Sequence, residues 1–177
     1  MISIPDAVAR EDWDVISLQQ VSSFSGIPES YEPYIGELIS YLKEAAPKAR
    51  LVFHKTWAYE PTSEHPSFAK YGHSTTLMSE KITAAVKEIS KKYSLPVIPS
   101  GDAVAEARRM PEFSGEDGAM TITRDGFHLN IPYGRYLVGV VAYKFFTGES
   151  ALAVEYIPTD ADAELCRKLR ALADTVI

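Results

Sequence analysis

Cysteine is nearly missing. Cys166 is the single one in 177 residues, which excludes an internal disulfide and any zinc cluster built from this chain's own thiolates. Its remaining reading is a small apolar residue packed on a helix. Long apolar runs are missing too: nothing approaches the roughly 20 residues that a membrane helix needs, so no membrane partner is expected. The start, Met1-Ile2-Ser3-Ile4-Pro5-Asp6, lacks the basic-then-apolar order of a secretory signal. As written the chain reads as cytoplasmic, and an upstream signal segment would make it secreted or periplasmic. Positive charge is scarce, since 18 Lys and Arg face 24 Asp and Glu for a net charge of -6. The cations are scattered among carboxylates, which excludes the basic stripe that nucleic acid requires. No Gly-rich phosphate loop follows the first strand and no acidic cluster marks a phosphoacceptor, which disfavours a nucleotide or regulatory module. No cofactor and no metal are expected.

With 46% apolar and 24% charged residues, the chain suits one domain spanning 1–177 with a real core. Pro5 to Glu11 reads as a brief helix, and Trp13 to Gln20 as a buried strand through Val15, Ile16 and Leu18. After a Ser- and Gly-containing loop, a helix is predicted from about Glu29 to Ala46, stopped by Pro47. Ala49 to Trp57 supplies a second strand, and a long loop containing Pro61 and Pro66 runs to Gly72; long loops in compact domains often carry function. Ser74 or Thr75 caps an amphipathic helix with Leu77, Ile82, Val86, Ile89 and Tyr93 on its inner face. Leu95 to Ile98 is a third strand ending at Pro99, and Gly101 to Met110 a further helix. Strand and helix alternate, as they do in crossover units on a parallel sheet, whose ligands sit beyond the carboxyl ends of the strands. Pro132 opens a helix to Phe146 that is apolar nearly all round and so expected to be buried on most of its surface, with Gly148 as its stop. Ala161 to Val176 forms a last amphipathic helix with Leu165, Leu169, Leu172 and Val176 inward.

Candidate chemistry centres on Asp125 and His128. An imidazole needs a partner to fix its tautomer and stabilise its cation, and a carboxylate three residues earlier on a tight turn can do both. Gly126 between them lets the backbone turn sharply. The same spacing also fits an exposed turn in which Asp125 caps its own backbone. His54 ends a strand on the ligand side, and Trp57 and Tyr59 follow it, either as an aromatic wall for a sugar or acyl group or as core packing. His65, His73 and Glu64 match no metal-ligand spacing.

Asp125-Gly126-Phe127-His128-Leu129, followed by a Gly-containing helix, resembles the closing block of the SGNH/GDSL hydrolases. Asp14-Val15-Ile16-Ser17-Leu18-Gln19-Gln20 is similar to the strand leading to that superfamily's third block, and Val97-Ile98-Pro99-Ser100-Gly101-Asp102-Ala103 to the segment before its late helix. The likeness spans about residues 13 to 148 and is closest to an uncharacterised branch with a Trp after the middle strand, here His54-Lys55-Thr56-Trp57-Ala58-Tyr59. The resemblance implies a flavodoxin-like three-layer α/β/α fold on a parallel sheet. It also implies His128 as general base and Asp125 as its orienting partner. Substrate contacts fall to Gln19 or Gln20 at the strand end, where an amide can donate to an oxyanion, and to Trp57.

The superfamily's serine sits in a Gly-Asp-Ser turn after a first strand, and neither that turn nor the glycine block after the next strand is found. The one Gly-Asp pair, Gly101-Asp102, is followed by Ala103. Ser22, Ser23 and Ser25 lie on the wrong loop for the superfamily's nucleophile. The expectation is a domain whose N-terminal strands are missing, leaving the edge of the Trp13 to Gln20 strand open to a homodimer. Two functional expectations follow. One is a serine esterase or hydrolase lineage acting on acyl or acetyl esters, including esters on carbohydrate; the other is a non-catalytic ligand-binding or dimerising domain derived from that fold.

Overall fold

Apolar residues along the strands alternate between two cores, and that alternation sets the architecture. The computed structural model describes residues 2–177. In chain order the elements are α1 (Ile4–Val8), β1 (Val15–Leu18), α2 (Tyr34–Ala45), β2 (Arg50–His54), α3 (Thr75–Tyr93), β3 (Val97–Ile98), α4 (Ser100–Ala107), α5 (Tyr133–Thr147) and α6 (Ala163–Val176). The three strands form one sheet in the order β1-β2-β3. Both pairings are parallel, with Val15 opposite Arg50 and Phe53 opposite Val97. Ile16, Leu18, Leu51, Phe53 and Val97 pack into a core shared with α2 and α3, while Val15, Val52 and Ile98 pack into one shared with α4, α5 and α6. Successive strand residues point to opposite faces, so a sheet with helices on both sides must be apolar at nearly every position. The result is a three-layer α/β/α fold.

Local chemistry sets the helix boundaries. Ser74 caps α3 by accepting from the Leu77 amide, and Asp162 caps α6 by accepting from the Leu165 amide. The helix expected from Glu29 begins instead at Tyr34, with a 3-10 turn at Pro28–Ser30 before it and Pro33 as its N-cap. Proline has no amide hydrogen to donate and is excluded from a helix interior. Leu77 was expected inward but is 38% exposed, and Met78 is fully buried in its place. Met78 lies four residues before Ile82, on the same face, whereas Leu77 lies five before it. The α5 helix is not buried all round: Tyr136, Leu137, Val140 and Val141 are buried, while Phe146 is 45% exposed. As part of an outer layer, α5 keeps one face uncovered among the described residues. Cys166 is fully buried in the core with α5.

Gly101 sets the depth at which α4 meets the sheet. Its amide donates to the Lys55 carbonyl at 2.9 Å, and a Cβ added there would lie 2.1 Å from the Thr56 carbonyl oxygen. Only glycine permits that approach. Buried Lys55 reinforces it by donating to Asp102 at 2.5 Å and to the Thr83 hydroxyl at 2.9 Å. Ser100 is thereby held directly beyond β3. Among the described residues, no helix is long and apolar enough to cross a membrane.

Candidate active site

The loop before α5 carries the Asp125 and His128 pair. Asp125 Oδ1 accepts from the amides of Phe127 (3.2 Å) and His128 (2.7 Å), and Oδ2 accepts from His128 Nδ1 at 2.7 Å. The carboxylate thus closes its own turn and orients the ring at once, and the two expected roles of Asp125 coexist. Desolvation pulls its pKa upward, but the hydrogen bonds from the His128 ring and from the two amides outweigh it and hold the carboxyl at about 2. Because Nδ1 gives its hydrogen to Asp125, the neutral ring leaves Nε2 bare, and no protein group among the described residues engages it. The His128 side chain is 55% exposed and that of Asp125 38%.

Gly126 makes this turn possible. Its φ is +84°, in the region that favours glycine, and a Cβ would lie 2.6 Å from Ser63 Cα. The Gly126 carbonyl accepts from the Glu60 amide at 2.7 Å. Beneath that strap, the nearly buried Arg108 and Glu60 side chains pair at 3.5 Å, and Arg108 also donates to the Ala58 carbonyl at 2.9 Å. Trp57 is half-buried, and its indole donates to the Phe127 carbonyl at 2.7 Å. It therefore braces the backbone beside His128 while packing on the core. Phe127 packs against His128 with ring centroids 4.1 Å apart and the planes tilted by 41°. Asp125, Gly126 and Phe127 border a cavity of about 560 Å³ with Glu60, Glu64 and His65.

A second constellation lies at the carboxyl ends of the strands. Gln19 follows β1, His54 ends β2 and Ser100 follows β3. His54 Nδ1 lies 2.8 Å from Gln19 Oε1, and His54 Nε2 lies 2.8 Å from Ser100 Oγ. Burial pushes the His54 pKa below its ordinary value, so the ring is held neutral. Gln19 borders a cavity of about 260 Å³ walled by Leu18, Tyr31, Ile35 and Leu38.

The structure joins Asp125 to His128, links Trp57 to them through Phe127, and sets Gln19 beside a different cavity on His54. Gln20 borders the same cavity as Gln19, and its amide donates to Ser30 O and Oγ and accepts from the Val21 amide. Ser22 bonds the Tyr59 hydroxyl, and the Ser25 hydroxyl donates to the Ser22 carbonyl. Sequence reasoning missed the bonds from His54 to Gln19 and Ser100; one signal for them was that each residue stands at a strand end. His65 accepts from the Ser67 amide, and no group of three or more His, Cys, Asp or Glu that could hold a metal ion occurs among the described residues.

A family model described as a domain of unknown function, DUF4886, matches residues 1–175. The chain belongs to the DUF4886 family. This DUF4886 chain is 31% identical to a DUF4886 family protein from Bacteroides uniformis, whose crystal structure it matches with a TM-score of 0.88 over 99% of its own length and 66% of the other's. It thus spans slightly less than two thirds of that relative. Two more distant structures share its fold. One, from Slackia heliotrinireducens, is provisionally described as an SGNH hydrolase (23% identity, TM-score 0.58, 79% of this chain and 69% of that one). The other, from Parabacteroides merdae, is provisionally described as a GDSL-like lipase (18% identity, TM-score 0.57, 79% and 62%). The SGNH/GDSL relationship anticipated from the Asp125 to Leu129 block holds at the level of fold. No curated protein matches the DUF4886 chain.

Proposed function

We propose that this chain carries the general-base half of an SGNH-type site for hydrolysis of acyl or acetyl esters, including esters on carbohydrate. The observation that carries the reading is the 2.7 Å bond from His128 Nδ1 to Asp125 Oδ2, on a ring whose Nε2 is free. In such a site, Nε2 takes the proton of an attacking hydroxyl as that oxygen adds to the ester carbonyl. The resulting imidazolium is stabilised by a carboxylate that stays ionised down to about pH 2. The proton then passes to the departing alcohol. Trp57, which holds the Phe127 carbonyl, limits drift of the loop, and Gln19 is the amide available to a ligand oxygen. The sequence holds no Gly-Asp-Ser turn, so no particular serine is singled out as the nucleophile, and covalent labelling identifies it.

That missing turn favours a second reading, a domain that binds esters without turning them over. An aryl acetate and a fluorophosphonate probe separate the two. The hydrolase reading expects release of the aryl alcohol above buffer and covalent labelling of one serine, both lost in His128→Ala. Absence of both turnover and label in the folded protein overturns it. Calorimetry with acetylated sugars then tests the binding reading, which no heat from any of them would sink.

A further inference from the structure

The contact between His54 and Ser100 bridges residues that no step of the proposed chemistry uses. The buried ring bonds on both sides, and only one proton arrangement satisfies all three groups. If Gln19 Oε1 faces His54, then Nδ1 carries the hydrogen, Nε2 is bare, and the Ser100 hydroxyl donates to it. If the Gln19 amide were flipped, Nδ1 would accept, Nε2 would donate to Ser100 Oγ, and the hydroxyl hydrogen would need another acceptor. Ser100 is 1% exposed and His54 is its single side-chain partner among the described residues, so the flipped form strands a buried donor, which is costly. In the satisfied form the Gln19 NH2 group is left without a protein acceptor, on an exposed residue at the mouth of the 260 Å³ cavity.

We propose that Ser100 and His54 are positioning residues that lock the Gln19 carboxamide with its NH2 group presented to the carbonyl or carboxylate oxygen of a short acyl ligand. The direction of donation runs from Ser100, two residues past β3, to His54, the last residue of β2, to Gln19, one residue past β1, so the sheet itself sets the spacing. Gly101 seats the serine: its close approach to the Thr56 carbonyl, where no Cβ fits, fixes where α4 begins. Neutral His54 is required, since a bare Nε2 is what accepts from Ser100, and burial supplies that condition. The ligand class rests on the ester reading above, whereas the geometry of the relay does not.

Nitrogen-15 NMR of the histidine rings tests the relay in the unaltered protein, with His54→Gln used to assign the signal. The expected result is a His54 ring protonated at Nδ1 and bare at Nε2, the tautomer opposite to that of His65, whose Nδ1 accepts from Ser67. A His54 ring protonated at Nε2, or a mixture of tautomers, overturns the proposal. Ser100→Ala should let the His54 tautomers mix and loosen the Gln19 side-chain amide, while the backbone spectrum outside the strand ends stays unchanged; Ser100→Thr should restore both. An unchanged His54 tautomer and Gln19 amide in Ser100→Ala also overturns it. Sodium acetate serves as the ligand probe: the Gln19 NH2 signals should shift in the wild type and lose most of that shift in Ser100→Ala. No shift in the wild type overturns the acyl assignment of the amide. Failure of aryl acetate turnover with the Nδ1 tautomer intact counts against the hydrolase reading and leaves the relay standing.

Discussion

Asp125 spends both carboxylate oxygens within three residues of itself, and this gives it a measurable acid signature. Its folded pKa is about 2 against an ordinary 3.8. A depressed carboxyl stabilises the fold fully above the unfolded value, and the contribution is lost as pH falls from about 3.8 through about 2. Carbon-13 titration of the Asp125 carboxyl should therefore show a midpoint near 2, and the order of the Phe127 and His128 amides should decline in the same window. Asp125→Asn should abolish that step and leave only the acid dependence supplied by the other lowered carboxyls, Glu32, Glu112, Glu164 and Asp174. A midpoint at the ordinary value would mean that the turn is not held by the ionised group, and the orientation of His128 would lose its cause.

Gly101 and Gly126 carry the next level, because each lets one element meet another's backbone. Gly126 combines a φ of +84° with the contact to Ser63, so Gly126→Ala adds left-handed strain of about 1–3 kcal/mol and pushes the turn off the 58–63 segment. Thermal unfolding should show a loss in that range or above, with the largest amide shifts at Glu60 and His128. Gly148, whose added Cβ would meet nothing within 4 Å, is the control for left-handed strain alone, and Gly148→Ala should cost less. What the sequence disclosed at this scale follows the same physics. The alternation of strand and helix was legible because apolar runs such as Leu51-Val52-Phe53 and caps such as Ser74 are local signals. The phase of α3 was legible as well, because Met78 stands four residues before Ile82 and Leu77 five, and the expectation of an inward Leu77 departed from that spacing. The Asp125 and His128 pair was legible because it is closed within one turn. The bonds of His54 to Gln19 and Ser100 join residues 35 and 46 positions apart, and only the parallel register of three strands brings them together.

At the scale of the whole molecule, both edges of the sheet are unpaired among the described residues, and β1, with four residues against two in β3, is the longer. The Arg50 amide donates to the Asp14 carbonyl, and in a parallel ladder this places the backbone groups of Val15 and Ser17 on the side away from β2. Ser17 is exposed, and exposed Trp13, Val21 and Phe24 flank the strand in sequence. Unpaired donors and acceptors beside apolar side chains are a template for another strand. The partner that needs no further assumption is a second copy, meeting β1 across a two-fold axis. Light scattering of this chain should show a dimer whose population rises with concentration. Ser17→Pro is the decisive variant: proline is tolerated where the amide faces outward on an edge strand, so the fold and the His128 signals should persist while the dimer is lost. A wild-type protein that stays monomeric at high concentration would reject the edge as a self-association site. A Ser17→Pro protein that still dimerises would move the interface elsewhere, with the open face of α5 around Tyr143 and Tyr156 the next surface to block.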